Sequence, residues 1–153
     1  MQAVSTDRIE RQIVVRAPRS RVWRALTDAK EFGAWFGVRP EAPFKAGTRS
    51  TGAVTHKGYE HLRWEVTIET IEPERRFAWR WHPGEVSASD VADEPTTLVV
   101  FELEEVAGGT LVKVTETGFD AIPAIRRGDA YRSNNEGWDA QMDAIRRHVE
   151  AAS

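Results

Sequence analysis

The chain has 153 residues, 41% of them hydrophobic and 29% charged, a balance typical of one folded domain spanning residues 1–153. It contains no cysteine, which excludes disulfide scaffolds, thiol catalysis and thiolate metal sites. The net charge of -3 gives no basic surface for a nucleic acid. No apolar run reaches the length of a membrane span or a signal peptide, so we expect a cytoplasmic protein without membrane insertion.

The N-terminal region predicts one strand and two short helices. Hydrophobic residues alternate with polar ones over residues 8–16 and predict a strand. A helix is predicted over 19–27, where apolar residues lie one turn apart. Asp28 and Glu31 have the spacing of a capping box, so a second helix is predicted to begin there and to stop at Gly37.

A run of about five strands is predicted next. Residues 38–47 hold two prolines and a glycine and predict a loop. From residue 48 the hydrophobic period becomes two, which is typical of a sheet with one buried face. The predicted strands cover residues 48–56, 60–71, 76–82, 97–104 and 110–116. The segment 83–95 is long and polar, so we expect a lid there rather than a tight turn.

The C-terminal region predicts a long helix, because apolar and amide residues recur at three- and four-residue steps over 131–149. This order of elements describes an α+β fold in two layers. We expect a curved antiparallel β-sheet wrapped around the long C-terminal α-helix, with two short helices after strand 1. Such an arrangement often leaves an internal cavity, and small molecules bind in apolar cavities that carry a few polar groups.

The inward-facing residues are unusually aromatic, and two interpretations are open. The rings form a closed core, or they line a pocket for a flat or greasy ligand, in which each indole N–H needs a partner. The lid and the end of the second short helix would form the entrance. The candidate ligand-binding residues are Met142 and the aromatic residues Trp35, Phe36, Trp64, Phe77, Trp79, Trp81 and Trp138.

Two adjacent amides, Asn134 and Asn135, lie on or beside the apolar stripe of the predicted helix, one turn before Trp138. A buried amide has up to four hydrogen-bonding sites to satisfy. The two side chains either bond to loop backbone at the edge of the stripe or point into the cavity, where they would orient a ligand. We include both as candidate ligand-binding residues.

Evidence for catalysis in the sequence is weak. The four histidines do not have metal-ligand spacing, so we expect no metal, and no glycine-rich phosphate loop or nucleophile motif implies a cofactor. Acid–base chemistry would need a titratable group inside the pocket. The two candidates are His82, beside the predicted lid, and Glu116, at the end of the last strand; the alternative for each is a solvated surface residue.

Several segments in order resemble the activator of heat-shock protein 90 ATPase homologue-like family, within the START-like (SRPBCC) superfamily. The resemblance covers about residues 8–150. Its opening signature is Ala17-Pro18, Val22-Trp23, residues 25–28 and Trp35-Phe36, and it continues through residues 77–79, 81–84, 97–102, 109–116 and 135–138. It implies a helix-grip fold, in which a curved sheet grips the C-terminal helix over a cavity.

The superfamily includes binders of lipids, hormones and polyketides as well as cyclases and hydratases, and fold alone does not choose among them. We expect a small hydrophobic molecule as the partner. The alternatives are a cyclase or dehydratase that uses the same cavity and a protein-interaction module. In the co-chaperones that give the family its name, a separate N-terminal domain precedes this one, so we do not expect a chaperone partner. A homodimer is expected on base rates alone.

Overall fold

A computed structural model of the chain describes residues 7–86 and 88–151. Residues 1–6, Ser87 of the predicted lid and residues 152–153 lie outside the described residues. The strands are β1 Arg8–Val15, β2 Val38–Pro40, β3 Arg49–Val54, β4 Arg63–Glu72, β5 Arg76–Trp81, β6 Thr97–Val106 and β7 Gly109–Thr117. The helices are α1 Arg19–Thr27, α2 Ala29–Phe36 and α3 Ala124–Ala151.

The seven strands form one antiparallel sheet in the order β1-β7-β6-β5-β4-β3-β2. The ring of Trp79 on β5 contacts Phe32 of α2 and also Trp138 of α3, so both helices cover the same face of the sheet. The predicted α+β fold, a sheet around a long C-terminal helix with two short helices after the first strand, is confirmed. The hydrophobic core lies between that face and the helices.

The period-two pattern of the sequence corresponds to the two faces of the sheet. On β4, Trp64, Val66 and Ile68 are buried, while Arg63 and Thr67 are exposed. Strands β6 and β7 form a hairpin through Gly108 and Gly109, a glycine pair that is typical of such turns, with Gly109 at a φ of 152°. A Cβ at Gly109 would lie 2.0 Å from the carbonyl oxygen of Val15, so this position requires glycine.

Most strand bounds differ from the prediction by one to three residues, but one strand was missed and one helix begins earlier. Strand β2 lies inside the predicted loop 38–47; it is an edge strand, where the missing N–H of Pro40 breaks no ladder. Helix α3 begins at Ala124 rather than at 131. Its first turns carry no apolar stripe, because most of their residues are exposed, Ile125 at 96%.

Helix α2 is fixed at both ends. Asp28 caps it, since its carboxylate accepts hydrogen bonds from the backbone N–H groups of Lys30 and Glu31. Gly37 ends it in the left-handed conformation, with a φ of 92°. The predicted cap is confirmed, but the Glu31 side chain does not complete a capping box; it turns to a cluster of cationic groups.

The carboxylate of Glu31 joins all three helices. It pairs with Arg21 at 2.9 Å and with Arg24 at 2.7 Å on α1, and it contacts His148 of α3 at 3.1 Å. Burial acts to raise the pKa of Glu31. Hydrogen bonds from His148 and Arg24, together with the charge of Arg21, outweigh that effect and hold the pKa below its ordinary value of 4.5.

This lowered pKa predicts a pH-dependent contribution to stability. Because the folded state favours the ionised carboxylate, the contribution is complete above pH 4.5 and is lost as the pH falls through the lower folded-state value. We expect Glu31→Gln to lower the free energy of unfolding by about 1 kcal/mol at pH 7 and by less in acid. Urea denaturation of both proteins between pH 7 and acid pH measures this difference, and Glu136→Gln, at an exposed position, is the control. A difference that grows towards low pH would contradict the sign.

Candidate ligand-binding site

Aromatic rings fill the space between the sheet and the helices. Neighbouring ring centroids lie between 4.7 and 6.5 Å apart, mostly in edge-to-face or tilted arrangements. The rings come from α2, β4, β5, β6 and α3, so they join every layer of the fold. The members of this aromatic cluster are Phe32, Trp35, Phe36, Trp64, Phe77, Trp79, Trp81, Phe101 and Trp138.

Phe36 packs against four tryptophans, which we call the indole box. Its ring centroid lies 5.4 Å from that of Trp64, 6.0 Å from Trp79, 6.1 Å from Trp81 and 6.3 Å from Trp138. Phe36 is the last residue of α2 and is only partly buried. Its carbonyl oxygen accepts a hydrogen bond from Nε2 of Gln141, which ties the end of α2 to α3. Phe36 therefore closes the box at the surface.

The indole N–H groups of the cluster differ in their hydrogen-bond acceptors. Trp35 donates to the carbonyl oxygen of Ala25 and Trp64 to Oγ of Ser50. Trp81 and Trp138 both donate to the Glu116 carboxylate, at 2.8 Å each. Among the residues that the structure describes, Trp79 Nε1 is buried without an acceptor. The ring of Trp79 contacts seven other rings of the cluster, more than any other indole in it.

Glu116 is fully buried at the end of β7, at 0% exposure, so it is not a solvated surface residue. Besides the two indoles, its oxygens accept hydrogen bonds from Thr97 Oγ1 at 2.6 Å and from Asn134 Nδ2 at 2.9 Å. Within the described part of the chain, no Arg, Lys or His forms an ion pair with this carboxylate. The donors that its hydrogen bonds come from are therefore all neutral groups.

Asn134 connects Glu116 to the lid. While its Nδ2 donates to the carboxylate, its Oδ1 accepts a hydrogen bond from the backbone N–H of Gly84 at 3.0 Å. Arg126 of α3 also holds the lid, through the carbonyl oxygen of Pro83 and the carboxylate of Glu94. The lid, residues 83–95 apart from Ser87, is thus attached to α3 beside the buried carboxylate.

The remaining predicted site residues lie in different places. Asn135 is directed towards β1, where its Oδ1 accepts a hydrogen bond from Arg11 at 2.8 Å. His82 is partly buried, and its Nε2 lies 3.1 Å from the carbonyl oxygen of Glu94. Met142 is buried in the core, one turn beyond Trp138. Trp35, expected at the mouth, is 7% exposed and belongs to the core.

Three site residues were not among the candidates. Phe32 of α2 and Phe101 of β6 belong to the aromatic cluster, and Thr97 contacts Glu116. Phe101 lies on the buried phase of β6, two residues after Val99, so the alternation of that strand was the available signal. Thr97 begins β6, where the sequence pattern carries no such information.

Two depressions lie elsewhere on the surface of the described residues. A depression of about 380 Å³ lies over the strands that carry Arg76, Glu102 and Lys113, and one of about 330 Å³ lies beside Tyr131. Neither is lined by residues of the indole box. The described residues contain no group of three or more His, Asp or Glu side chains placed to hold a metal ion. None of the described helices is long and apolar enough to span a membrane.

Solved structures share this fold at low sequence identity. MLL2253 from Mesorhizobium loti has 18% identity and a TM-score of 0.75, with 95% of this chain and 98% of that one covered. DynU16, a protein in the dynemicin biosynthetic locus, has 22% identity and a TM-score of 0.73; the match covers 96% of this chain and spans about half, 48%, of that one. The Aha1 dimer from Colwellia psychrerythraea has 19% identity and a TM-score of 0.67, with 94% of this chain and 96% of that one covered.

The similarity to these solved structures shows the fold. A search of curated protein sequences found no match to the chain. The model of one family matches residues 16–150, which include α1, the aromatic cluster, the lid and nearly all of α3. The resemblance drawn from the sequence is thereby confirmed. The chain belongs to the family described as Activator of Hsp90 ATPase homolog 1-like protein.

Proposed function

We propose that the protein binds a small hydrophobic or aromatic molecule between the sheet and α3, at the indole box. The observation that carries the proposal is the Trp79 indole N–H, which is buried in the centre of the cluster and has no acceptor among the described residues. Leaving a buried donor unpaired costs about 1–3 kcal/mol. A ligand that brings an oxygen acceptor to this N–H would recover that energy.

The route to the box passes Phe36. The ring of Phe36 packs against all four indoles, so a ligand takes its place rather than filling an empty cavity. Phe36 lies at the end of a helix, next to Gly37, and is partly exposed, as is Trp81. Rotation of its side chain would open the box, while the hydrogen bond from Gln141 to its carbonyl oxygen keeps the end of α2 in place.

Binding is better supported than acid–base catalysis. The side chains that donate hydrogen bonds to Glu116 fix its carboxylate in place. Asn134 donates to the same carboxylate and accepts from Gly84, so it links Glu116 to the lid. His82 is engaged with the backbone of the lid. A carboxylate held by this many donors positions other groups more readily than it exchanges protons with a substrate.

The two most similar buried indoles give a matched test of the unpaired N–H. Trp79→Phe and Trp64→Phe remove the same volume, but only Trp64 loses a hydrogen bond, the one to Ser50. We expect Trp64→Phe to lower the free energy of unfolding by about 1–2 kcal/mol more than Trp79→Phe. Chemical denaturation of both variants checks this. Equal losses would show that Trp79 Nε1 is satisfied in solution.

Binding itself is tested on the purified protein. Native mass spectra before and after gentle denaturation would reveal a co-purifying molecule. Quenching of tryptophan fluorescence would then be followed with oleate, cholesterol and the hydroxyanthraquinone alizarin. We expect saturable quenching by at least one of them, weakened in Trp79→Phe. No bound mass and no saturable quenching would contradict the proposal.

A further inference from the structure

The hydrogen-bonding groups of the indole box indicate which chemical class of ligand the box takes. Resting on the proposed function, we infer that the ligand is a neutral aromatic ketone or quinone without a free O–H or N–H group. Its ring takes the place of the Phe36 ring, and its carbonyl oxygen accepts a hydrogen bond from the Trp79 N–H. The site therefore favours such a molecule over an alcohol or an amine of the same shape.

The first support is that the box offers one free donor. An indole N–H donates a hydrogen bond but does not accept one. Three of the four indoles, Trp64, Trp81 and Trp138, already donate to side-chain oxygens. Of the box, all of which the structure describes, the buried N–H of Trp79 alone lacks an acceptor. One acceptor oxygen on the ligand satisfies it, and a carbonyl supplies that oxygen without bringing a donor.

The second support is that the site holds no free acceptor for an O–H or N–H of the ligand. Glu116 accepts from Trp81 and Trp138 of the box, but Thr97 and Asn134 also donate to its two oxygens. These donors occupy the roughly four lone-pair positions of a carboxylate. In the part of the chain that the structure describes, every buried side-chain oxygen has a hydrogen-bond partner. A hydroxyl or amine brought into the box would therefore leave its own proton without an acceptor.

The third support is that the rings of the box are uncharged. Phe36 packs only against indoles there, so a charged group in its place would lose its hydration without gaining a counter-ion. The carboxylate of oleate would stay outside the box, at the partly exposed side of Phe36. Of the three probes named for the proposed function, alizarin fits best. Both of its hydroxyl groups donate to oxygens within the molecule, and one carbonyl oxygen stays available.

Three bicyclic probes of nearly equal size test the inference. 1-Indanone carries an acceptor, each enantiomer of 1-indanol carries an acceptor and a donor, and indane carries neither. Dissociation constants are measured with the full chain, with Trp79→Phe and with Trp64→Phe, by following the indole N–H signals in ¹⁵N–¹H NMR spectra. Trp64→Phe is the matched control, because it removes an indole of the same box whose N–H already donates to Ser50.

We expect 1-indanone to bind at least about 5-fold more tightly than 1-indanol, which leaves a buried O–H without an acceptor. Trp79→Phe should lower the ratio of ketone affinity to indane affinity by at least about 5-fold, because the acceptor loses its donor. Trp64→Phe should leave that ratio unchanged. Equal or tighter binding of the alcohol overturns the inference, and so does a ratio that Trp79→Phe does not change.

The failure of the inference is distinguishable from the failure of the proposed function. If the three bicyclic probes do not bind while alizarin, oleate or cholesterol quenches saturably, the inference is wrong and the proposed function stands. If none of these molecules binds, both are wrong. If Trp79→Phe does not fold, the ratio of ketone affinity to alcohol affinity in the unmodified protein still decides.

Discussion

Replacing Trp138 by alanine is expected to lower the free energy of unfolding by about 3–5 kcal/mol. The side chain is 2% exposed, and its ring contacts Phe36, Trp79 and Phe101. Its N–H also donates to Glu116, so the substitution removes a large apolar surface and one hydrogen bond of a buried carboxylate. The loss is measured by urea denaturation followed by circular dichroism.

The preceding residue provides the control. Gly137 lies in the interior of α3, and a Cβ there would meet no atom within 4 Å. Gly137→Ala should therefore stabilise the helix by about 0.5–1 kcal/mol. A loss below about 1.5 kcal/mol for Trp138→Ala would mean that the cluster collapses into the space and that the ring is not a fixed part of the core.

The second large effect is expected from Glu116→Gln, a loss of about 2–4 kcal/mol. The substitution places an amide N–H₂ where a carboxylate oxygen accepted hydrogen bonds. Because indole N–H groups only donate, either Trp81 or Trp138 then faces another donor. The affected contacts hold β5 and α3 to β7, so thermal unfolding should also show the loss.

Glu102→Gln is the matched control for this substitution. Glu102 lies on β6, next to β7 in the sheet, but its side chain is exposed, so the change should stay within about 0.5 kcal/mol. If Glu116→Gln were as mild as Glu102→Gln, the carboxylate would not be buried as described.

Most of the fold could be predicted from the sequence, because one face of the sheet is buried and the other is wet. That difference produces the alternation on β4, where Trp64, Val66 and Ile68 face the core. The prediction was weakest where no such contrast exists. Strand β2 has three residues at an edge, and the first turns of α3 are mostly exposed, so neither shows a pattern.

The site could be predicted only in part. The aromatic residues were found because large apolar side chains on inward positions must pack together. Glu116 was treated as more exposed than it is, although it follows Val112 and Val114 on the buried phase of β7. Its burial depends on donors from Trp81 and Trp138, which are distant in the sequence, and no local pattern reveals such a meeting.

The contacts of the two neighbouring asparagines could not be predicted from the local sequence either. Asn134 and Asn135 are adjacent on α3, and the helical period places both near the apolar stripe. Adjacent residues of a helix point about 100° apart, so Asn134 is directed to Glu116 and Asn135 to Arg11 of β1. Which amide faces the site is decided by the partners that the tertiary structure brings, not by the position along the helix.

The indole N–H signals in a two-dimensional ¹⁵N–¹H NMR spectrum, recorded during titration with alizarin, test the central claim most directly. A molecule in the box should shift the signals of Trp64, Trp79, Trp81 and Trp138. The Trp79 signal should move downfield as it gains an acceptor, and that of Trp23, on α1 outside the cluster, should stay in place. Saturable binding that shifts Trp23 and leaves Trp79 unchanged would place the ligand elsewhere and contradict the account.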